Sequence, residues 1–267
     1  MLWDTHMHTQ FSTDSTAKPE DMAEEAIKRG LSGICFTDHL DYDYPNEPGA
    51  FLLDVPAYMQ GMRELAGKYE NRLPIRIGIE LGLQPHVAER CRKLVAQYPF
   101  DFVIGSSHVV HGCDPYYAEY YEGKTEEEAY REYFESILEN LSCYQDFDVY
   151  GHIDYVVRYG PNKNREYTYQ RYADIIDEVL KKLIALGKGI EINTAGFKYG
   201  LDHPNPTEDI IRRYRELGGE IITIGADGHA PEHIAYDFEK VPEILKAAGF
   251  TYYNVFKERK PEYISLD

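Results

Sequence analysis

The chain has 267 residues, 43% of them hydrophobic and 28% charged, with 46 acidic against 28 basic side chains and a formal charge of −18. That length suits one α/β barrel of about 250 residues, so a single domain over residues 1–267 is expected. The acidity excludes a nucleic-acid backbone or an anionic membrane surface as the main partner, since both are bound through basic patches, and the absence of a long apolar run or a basic leader points to a cytoplasmic protein.

The first predicted strand is Leu2–His8. In extended backbone, side chains i and i+2 share a face, so His6 and His8 project together with their backbones roughly 6–7 Å apart, a workable bite on one cation. The following KPEDMAEEAIKRG reads as a helix, with Pro19 near its start, acids in its first turn, Met22, Ala23, Ala26 and Ile27 at helical spacing and Gly30 as its stop. Further strands are predicted at Gly33–Thr37, Ile75–Leu83, Phe102–Ser106, Val149–His152, Gly189–Asn193 and Ile221–Ala226. TEEEAYREYFESILENL, TYQRYADIIDEVLKKLIALG and TEDIIRRYRELGG repeat the helical grammar, while residues 41–54 read as a loop over one barrel end. Strand-then-helix units without linkers build a closed or nearly closed parallel barrel. Cys35, Cys91, Cys113 and Cys143 lie far apart with no Cys-x-x-Cys pair, so reduced thiols are expected.

Ligand-capable residues cluster at the ends of these strands. His6 and His8 close the first, Asp38 and His39 follow the second, Glu80 lies near the end of the third, and His108 follows the fourth. His152 ends the fifth, and Asp227 and His229 follow the seventh. Parallel barrels build their sites at the carboxyl ends of the strands, so these residues are expected in one pocket. Any one of them alone has an ordinary structural role as a cap or a hydrogen-bonded histidine; the set points to a metal site. Imidazoles and carboxylates without thiolate suit Zn, Mn or Fe. With Asp14 the set is too large for one four-coordinate ion and sufficient for two or three if Glu80 bridges. His86, His203 and His233 read as surface or capping residues, and His111 with Cys113 lacks further ligands nearby.

The ordered set His-x-His, Asp, His, Glu, His, His, Asp-x-His resembles the PHP (polymerase and histidinol phosphatase) family over nearly the whole chain. The resemblance implies an α/β fold, a distorted (β/α)7 barrel, and a trinuclear centre of divalent transition-metal ions. One ion would be held by His6, His8, Glu80 and Asp227, a second by Glu80, His108 and His152, and a third by Asp14, His39 and His229. THMHTQFSTDS, GHIDYVVRYG and EINTAGFKYG are similar to the stand-alone histidinol-phosphate phosphatases of that family. This implies a phosphoric monoester hydrolase acting on L-histidinol phosphate in histidine biosynthesis, by attack of a hydroxide held between two ions. Glu80, Asp227, His229 and Arg158 are expected to carry catalysis, and Arg158 and Lys198 to bind phosphate. The alternatives are a PHP phosphoesterase for phosphotyrosine or a nucleotide, a two-metal TatD- or amidohydrolase-like hydrolase, and a non-catalytic metal-binding module. A substrate with an amine and an imidazole calls for acids opposite the phosphate, and Asp41, Asp43 and Asp154 are the candidates. The expected partner is a small-molecule phosphate monoester, with no oligomeric state specified.

Overall fold

Parallel strands alternating with helices make up most of the computed structural model, which describes residues 2–45, 47 and 49–267. In chain order the elements are β1 (Trp3–Asp4), α1 (Pro19–Lys28), β2 (Gly33–Phe36), β3 (His39–Asp41), α2 (Val55–Tyr69), β4 (Ile75–Gly82), α3 (Ala88–Gln97), β5 (Phe102–Ser106) and α4 (Glu126–Cys143). They continue with β6 (Val149–Tyr150), α5 (Ala173–Ala185), β7 (Gly189–Asn193), α6 (Ala195–Lys198), α7 (Glu208–Glu216), β8 (Ile222–Gly225), α8 (Val241–Ala247), β9 (Tyr252–Lys257) and β10 (Lys260–Ser265). The helices begin as their sequences dictate: Pro19 opens α1 ahead of Glu20 and Asp21, and Thr125 with Glu128 forms a reciprocal capping box on α4.

The main sheet runs β1-β2-β4-β5-β6-β7-β8 with every pair parallel. Its edges meet just past β1, where the Thr5 N–H donates to the Ile224 carbonyl (2.9 Å), Asp227 to His6 (2.8 Å) and His8 to Gly228 (2.8 Å). The sheet is therefore a nearly closed barrel. The first strand is shorter than expected because residues beyond Asp4 bend into the barrel mouth, keeping only the bridge from Met7 to Gly228. Val149–His152 likewise shortens to Val149–Tyr150.

Three strands are additional to those expected from the sequence. β2 pairs with Ile75–Ile77 of β4, and after a break at residues 37–38 the same chain resumes as β3 against Glu80–Gly82. The break is held by Asp38, whose carboxylate accepts from the Thr9 N–H (2.7 Å) and the Ser12 hydroxyl (2.7 Å), pinning the loop after β1. β9 and β10 form an antiparallel hairpin that was not anticipated, because its turn is Glu258-Arg259, both at positive φ (49° and 63°), without the usual glycine or asparagine. Asp101 stabilises the turn, accepting the Glu258 N–H on its side chain (3.0 Å) and the Arg259 N–H on its carbonyl (2.9 Å).

Alternation along the strands divides apolar from polar. Ile79, Leu81, Ile190, Ile192, Ile222 and Ile224 join the large core shared with the helices, so the intervening Glu80, Glu191 and Asn193 face the barrel interior. Inside the barrel, Cys35, Phe102, Ile104 and Val149 pack with Phe256 of β9, which stacks on Phe102 at 5.1 Å between ring centroids. The hairpin thus supplies the apolar plug beneath a polar mouth. Among the described residues no helix is long and apolar enough to cross a membrane.

α2 is tied to the sheet by the buried Tyr58, whose hydroxyl donates to the carbonyls of Phe36 (3.1 Å) and Gly78 (2.9 Å). Tyr58→Phe keeps the ring but strips both carbonyls of a donor, and should lower unfolding stability by about 1–2 kcal/mol in urea titrations. An unchanged denaturation midpoint would show that the hydroxyl contributes nothing.

Candidate metal centre

The Glu80 carboxylate, fully buried, is the hub of the barrel mouth. Its Oε2 lies 3.1 Å from His6 Nε2, 3.5 Å from His8 Nε2 and 2.9 Å from His39 Nδ1. Its Oε1 lies 3.0 Å from His152 Nε2 and 3.3 Å from His108 Nε2, and accepts from the Ser106 hydroxyl at 2.7 Å. Asp227 Oδ1 is 3.4 Å from His8 Nε2 and 3.6 Å from His229 Nδ1, while Asp14 Oδ2 is 3.0 Å from His229 Nε2 and 3.7 Å from His39 Nε2. All nine residues expected as ligands are brought together. They overlap more than three separate sites would: His6, His8 and Glu80 form one triad, His39, Glu80 and His108 another, and His8, His39 and His229 a third. His8 is stacked between His39 and His229 at ring-centroid distances of 4.0 and 4.2 Å.

The donor set fits divalent cations. Glu80 Oε2 accepts no hydrogen bond although three imidazole nitrogens stand close to it, and His39 Nδ1 is equally unpaired. His6 Nε2 and His8 Nε2 face each other at 3.1 Å. Nitrogen lone pairs converging on a carboxylate oxygen are the arrangement a cation organises. The electrostatics of the cluster make the same demand for positive charge. Burial opposes protonation of His6 and His108, but the carboxylates beside them, Glu191 and Glu80 for the first and Asp41 and Glu80 for the second, raise both well above the usual histidine range. His39, likewise opposed by burial, is brought up to about 9 by Glu80 and Asp14. Burial favours neutral Glu80 and Asp227, yet the imidazoles around them, with Arg158 beside Asp227, hold both well below the carboxylate range. Burial pushes His8 and His152 down, leaving their nitrogens free to ligate.

A second layer of hydrogen bonds orients these imidazoles. His6 Nδ1 meets Glu191 Oε1 at 2.6 Å, His108 Nδ1 meets Asp41 Oδ2 at 2.6 Å, and His229 Nδ1 meets the Asp227 carbonyl at 3.0 Å. With Nδ1 as the donor in each pair, Nε2 is turned toward the centre as a lone pair. Glu191 also accepts from the His152 N–H at 3.0 Å. Glycines make room for both carboxylates: a Cβ on Gly225 would stand 2.3 Å from Glu191 Oε1, and one on Gly82 2.3 Å from Asp41 Oδ2. Sequence reasoning missed Glu191, although its alternation with Ile190 and Ile192 marks an inward-facing acid.

Other expectations are revised. Arg158 lines the cleft above the centre but is buried and already donates to Asp227 (2.8 Å), Asn193 (2.9 Å) and Asn205 (2.8 Å). Lys198 Nζ points to the Asp227 carbonyl at 3.4 Å and does not line that cleft. Asp41 is buried against His108, Asp43 is exposed in ion pairs with Arg90 and His86, and Asp154 is buried as an acceptor for Asn205 and Thr207, so none of the three is a free acid at the mouth. His203 is buried rather than superficial, its Nδ1 against the Pro204 carbonyl. His111 bridges Glu132 and Glu139 on α4. Part of the 41–54 loop covers the mouth as expected through Tyr44 and Phe51, while positions 46 and 48 lie outside the described residues.

A family model described as the PHP domain matches residues 4–195. The chain belongs to the PHP family. A histidinol-phosphatase from Lactococcus lactis is 34% identical over 251 residues, covering 92% of this chain and 91% of the relative. The crystal structure of the histidinol phosphate phosphatase from that species, complexed with zinc, L-histidinol and phosphate, superposes with a TM-score of 0.91 at 33% identity, covering 98% of each chain. A structure from Listeria monocytogenes shares the fold at 20% identity and a TM-score of 0.77, covering 89% of this chain and 99% of the other.

The Glu191 contact to His6 supplies both tautomer and basicity, so Glu191→Gln should weaken zinc binding about 10- to 100-fold in competition with a chromogenic chelator. Unchanged affinity would show that His6 needs no such partner.

Proposed function

We propose that this PHP protein, acting as one unit along the chain, hydrolyses L-histidinol phosphate to L-histidinol and phosphate in the cytoplasm with two or three divalent ions, zinc among those that suit its donors. The observation that carries the reading is the buried Glu80 carboxylate with imidazoles converging on it beneath a cleft lined by His39, His108, His152 and His229. The Lactococcus structure with zinc, L-histidinol and phosphate, matching along 98% of this chain, supplies the substrate.

His6, His8, Glu80 and Asp227, then Glu80, His108 and His152, then Asp14, His39 and His229 are the groups assigned to the ions. Divalent cations there would polarise the phosphoryl group and lower the pKa of water near it. The remaining work falls to the chain. Arg158 uses three of the five guanidinium N–H groups on Asn193, Asn205 and Asp227, and the two left can donate to a phosphoryl oxygen in the cleft that it lines. Those three contacts fix the plane of the fork before substrate arrives, which lowers the ordering cost of binding. Lys198 has the lesser part of holding the Asp227 backbone and adding positive charge behind it. His229 and Asp14 meet at the more exposed rim, and an ion held there would help to stabilise the departing alkoxide.

The test is kcat/KM for L-histidinol phosphate beside p-nitrophenyl phosphate, phosphotyrosine and a mononucleotide, in zinc. Histidinol phosphate should lead by about 10-fold or more, the scale of one charge-assisted contact. Arg158→Ala should lower all four together because it acts on their common phosphate. A different leader would overturn the substrate assignment.

A further inference from the structure

Behind the metal centre, Asp154, Asn205 and Asn193 are fully buried, and none of the three lines the cleft. Asp154 Oδ1 accepts from Asn205 Nδ2 at 2.6 Å, and Asn205 Oδ1 accepts from Arg158 Nε at 2.8 Å. Arg158 Nη1 in turn donates to Asp227 Oδ2 at 2.8 Å. A guanidinium only donates and a carboxylate accepts, so the Asn205 amide has one orientation that serves both neighbours. Four side chains therefore form a directed line from Asp154 to Asp227. The middle of that line is fixed by the backbone as well, because Asn205 and Asn193 exchange N–H to carbonyl hydrogen bonds at 2.8 and 2.9 Å. Asn193 Oδ1 gives Arg158 a further anchor, accepting from Nη2 at 2.9 Å.

The far end of the line is where a fixed geometry is needed. Asp227 stands at φ 51°, a left-handed backbone conformation that persists where the surroundings determine it. With its Oδ2 taken by Arg158, its Oδ1 is turned toward His8 Nε2 at 3.4 Å and His229 Nδ1 at 3.6 Å. A carboxylate engaged in this way presents one chosen oxygen to a cation. Arg158 can impose that choice only if its own long side chain is held, and the contacts at Nε and Nη2 set the plane of its fork. Asp154 has a bracing role too: its Oδ2 accepts from the Thr207 N–H at 3.1 Å and the Tyr167 hydroxyl at 3.3 Å, next to the start of α7. Bracing uses Oδ2 and leaves the shorter Oδ1 contact to Asn205 unexplained.

We propose that Asp154 is a positioning residue for the metal centre: through Asn205 it holds Arg158 against Asp227 and so fixes the Asp227 oxygen left to a cation. This rests on the assignment of Asp227 to an ion in the reading above. Asp154 itself touches neither ion nor substrate.

The experiment reads zinc affinity, by competition with a chromogenic chelator, for Asp154→Ala and Asn205→Ala, each made in the wild type and in Arg158→Ala. In the wild-type background both should weaken zinc binding about 10-fold, the low end for losing a hydrogen-bond partner behind a ligand. In the Arg158→Ala background neither should weaken it by more than about 2-fold, because the line is already cut. Asn205→Ala, which leaves Asp154 on Thr207, keeps the inference testable if Asp154→Ala fails to fold. Losses of equal size in the two backgrounds, as bracing alone would give, or no loss in the wild-type background, would overturn the proposal. Full zinc affinity in Asp227→Asn would defeat the assignment of Asp227 to an ion, and this inference with it.

Discussion

A carboxylate wholly removed from water inside a parallel barrel, Glu80, is the constraint around which the site is organised. Burying such a charge costs several kcal/mol at least, about what an unpaired ion retains after relaxation. Neutral imidazoles do not offset that cost; cations held jointly by Glu80 and the imidazoles do. The ring of His6, His8, His39, His108 and His152 around the two oxygens of Glu80 follows from this need. Only a fold that brings many strand ends to one place can provide it, which is why residues as far apart in sequence as His6 and His229 meet at the carboxyl end of the sheet.

The same constraint explains the division of the barrel interior. The hairpin places Phe256 against Phe102, so the lower interior is packed with apolar side chains, Cys35, Ile104 and Val149 among them. Above it, β4 and β7 turn the acids Glu80 and Glu191 inward, and Gly82 and Gly225 are small because the carboxylates of Asp41 and Glu191 occupy the space a side chain would fill. Orientation of the ligands therefore depends on close backbone approach as much as on the acids. Arg158 belongs to this economy of charge: buried among Asp227, Asn193 and Asn205, it balances one ligand carboxylate while remaining at the edge of the cleft.

The clustering of the candidate ligands was legible in the sequence because strand ends can be read from β-rich runs, and a barrel turns separate strand ends into one site. His39 was found this way although β3, on which it stands, was not; three residues resuming a strand after a break leave no periodic pattern to detect. The hairpin escaped for a comparable reason, since Glu258 and Arg259 carry a turn whose support comes from Asp101, far away in the chain. Glu191 and Asp41 differ again. Each acts through a hydrogen bond to a ligand, and single-residue chemistry offers no spacing rule for that, although the alternation of Glu191 with two isoleucines does announce a buried acid.

Zinc-anomalous diffraction from crystals of the metal-loaded protein would locate the ions around Glu80. At least two anomalous peaks are expected in the barrel mouth, with both oxygens of Glu80 within metal-bonding distance, about 2.0–2.2 Å, of separate ions. A single peak, or peaks that leave Glu80 uncoordinated, would contradict that expectation.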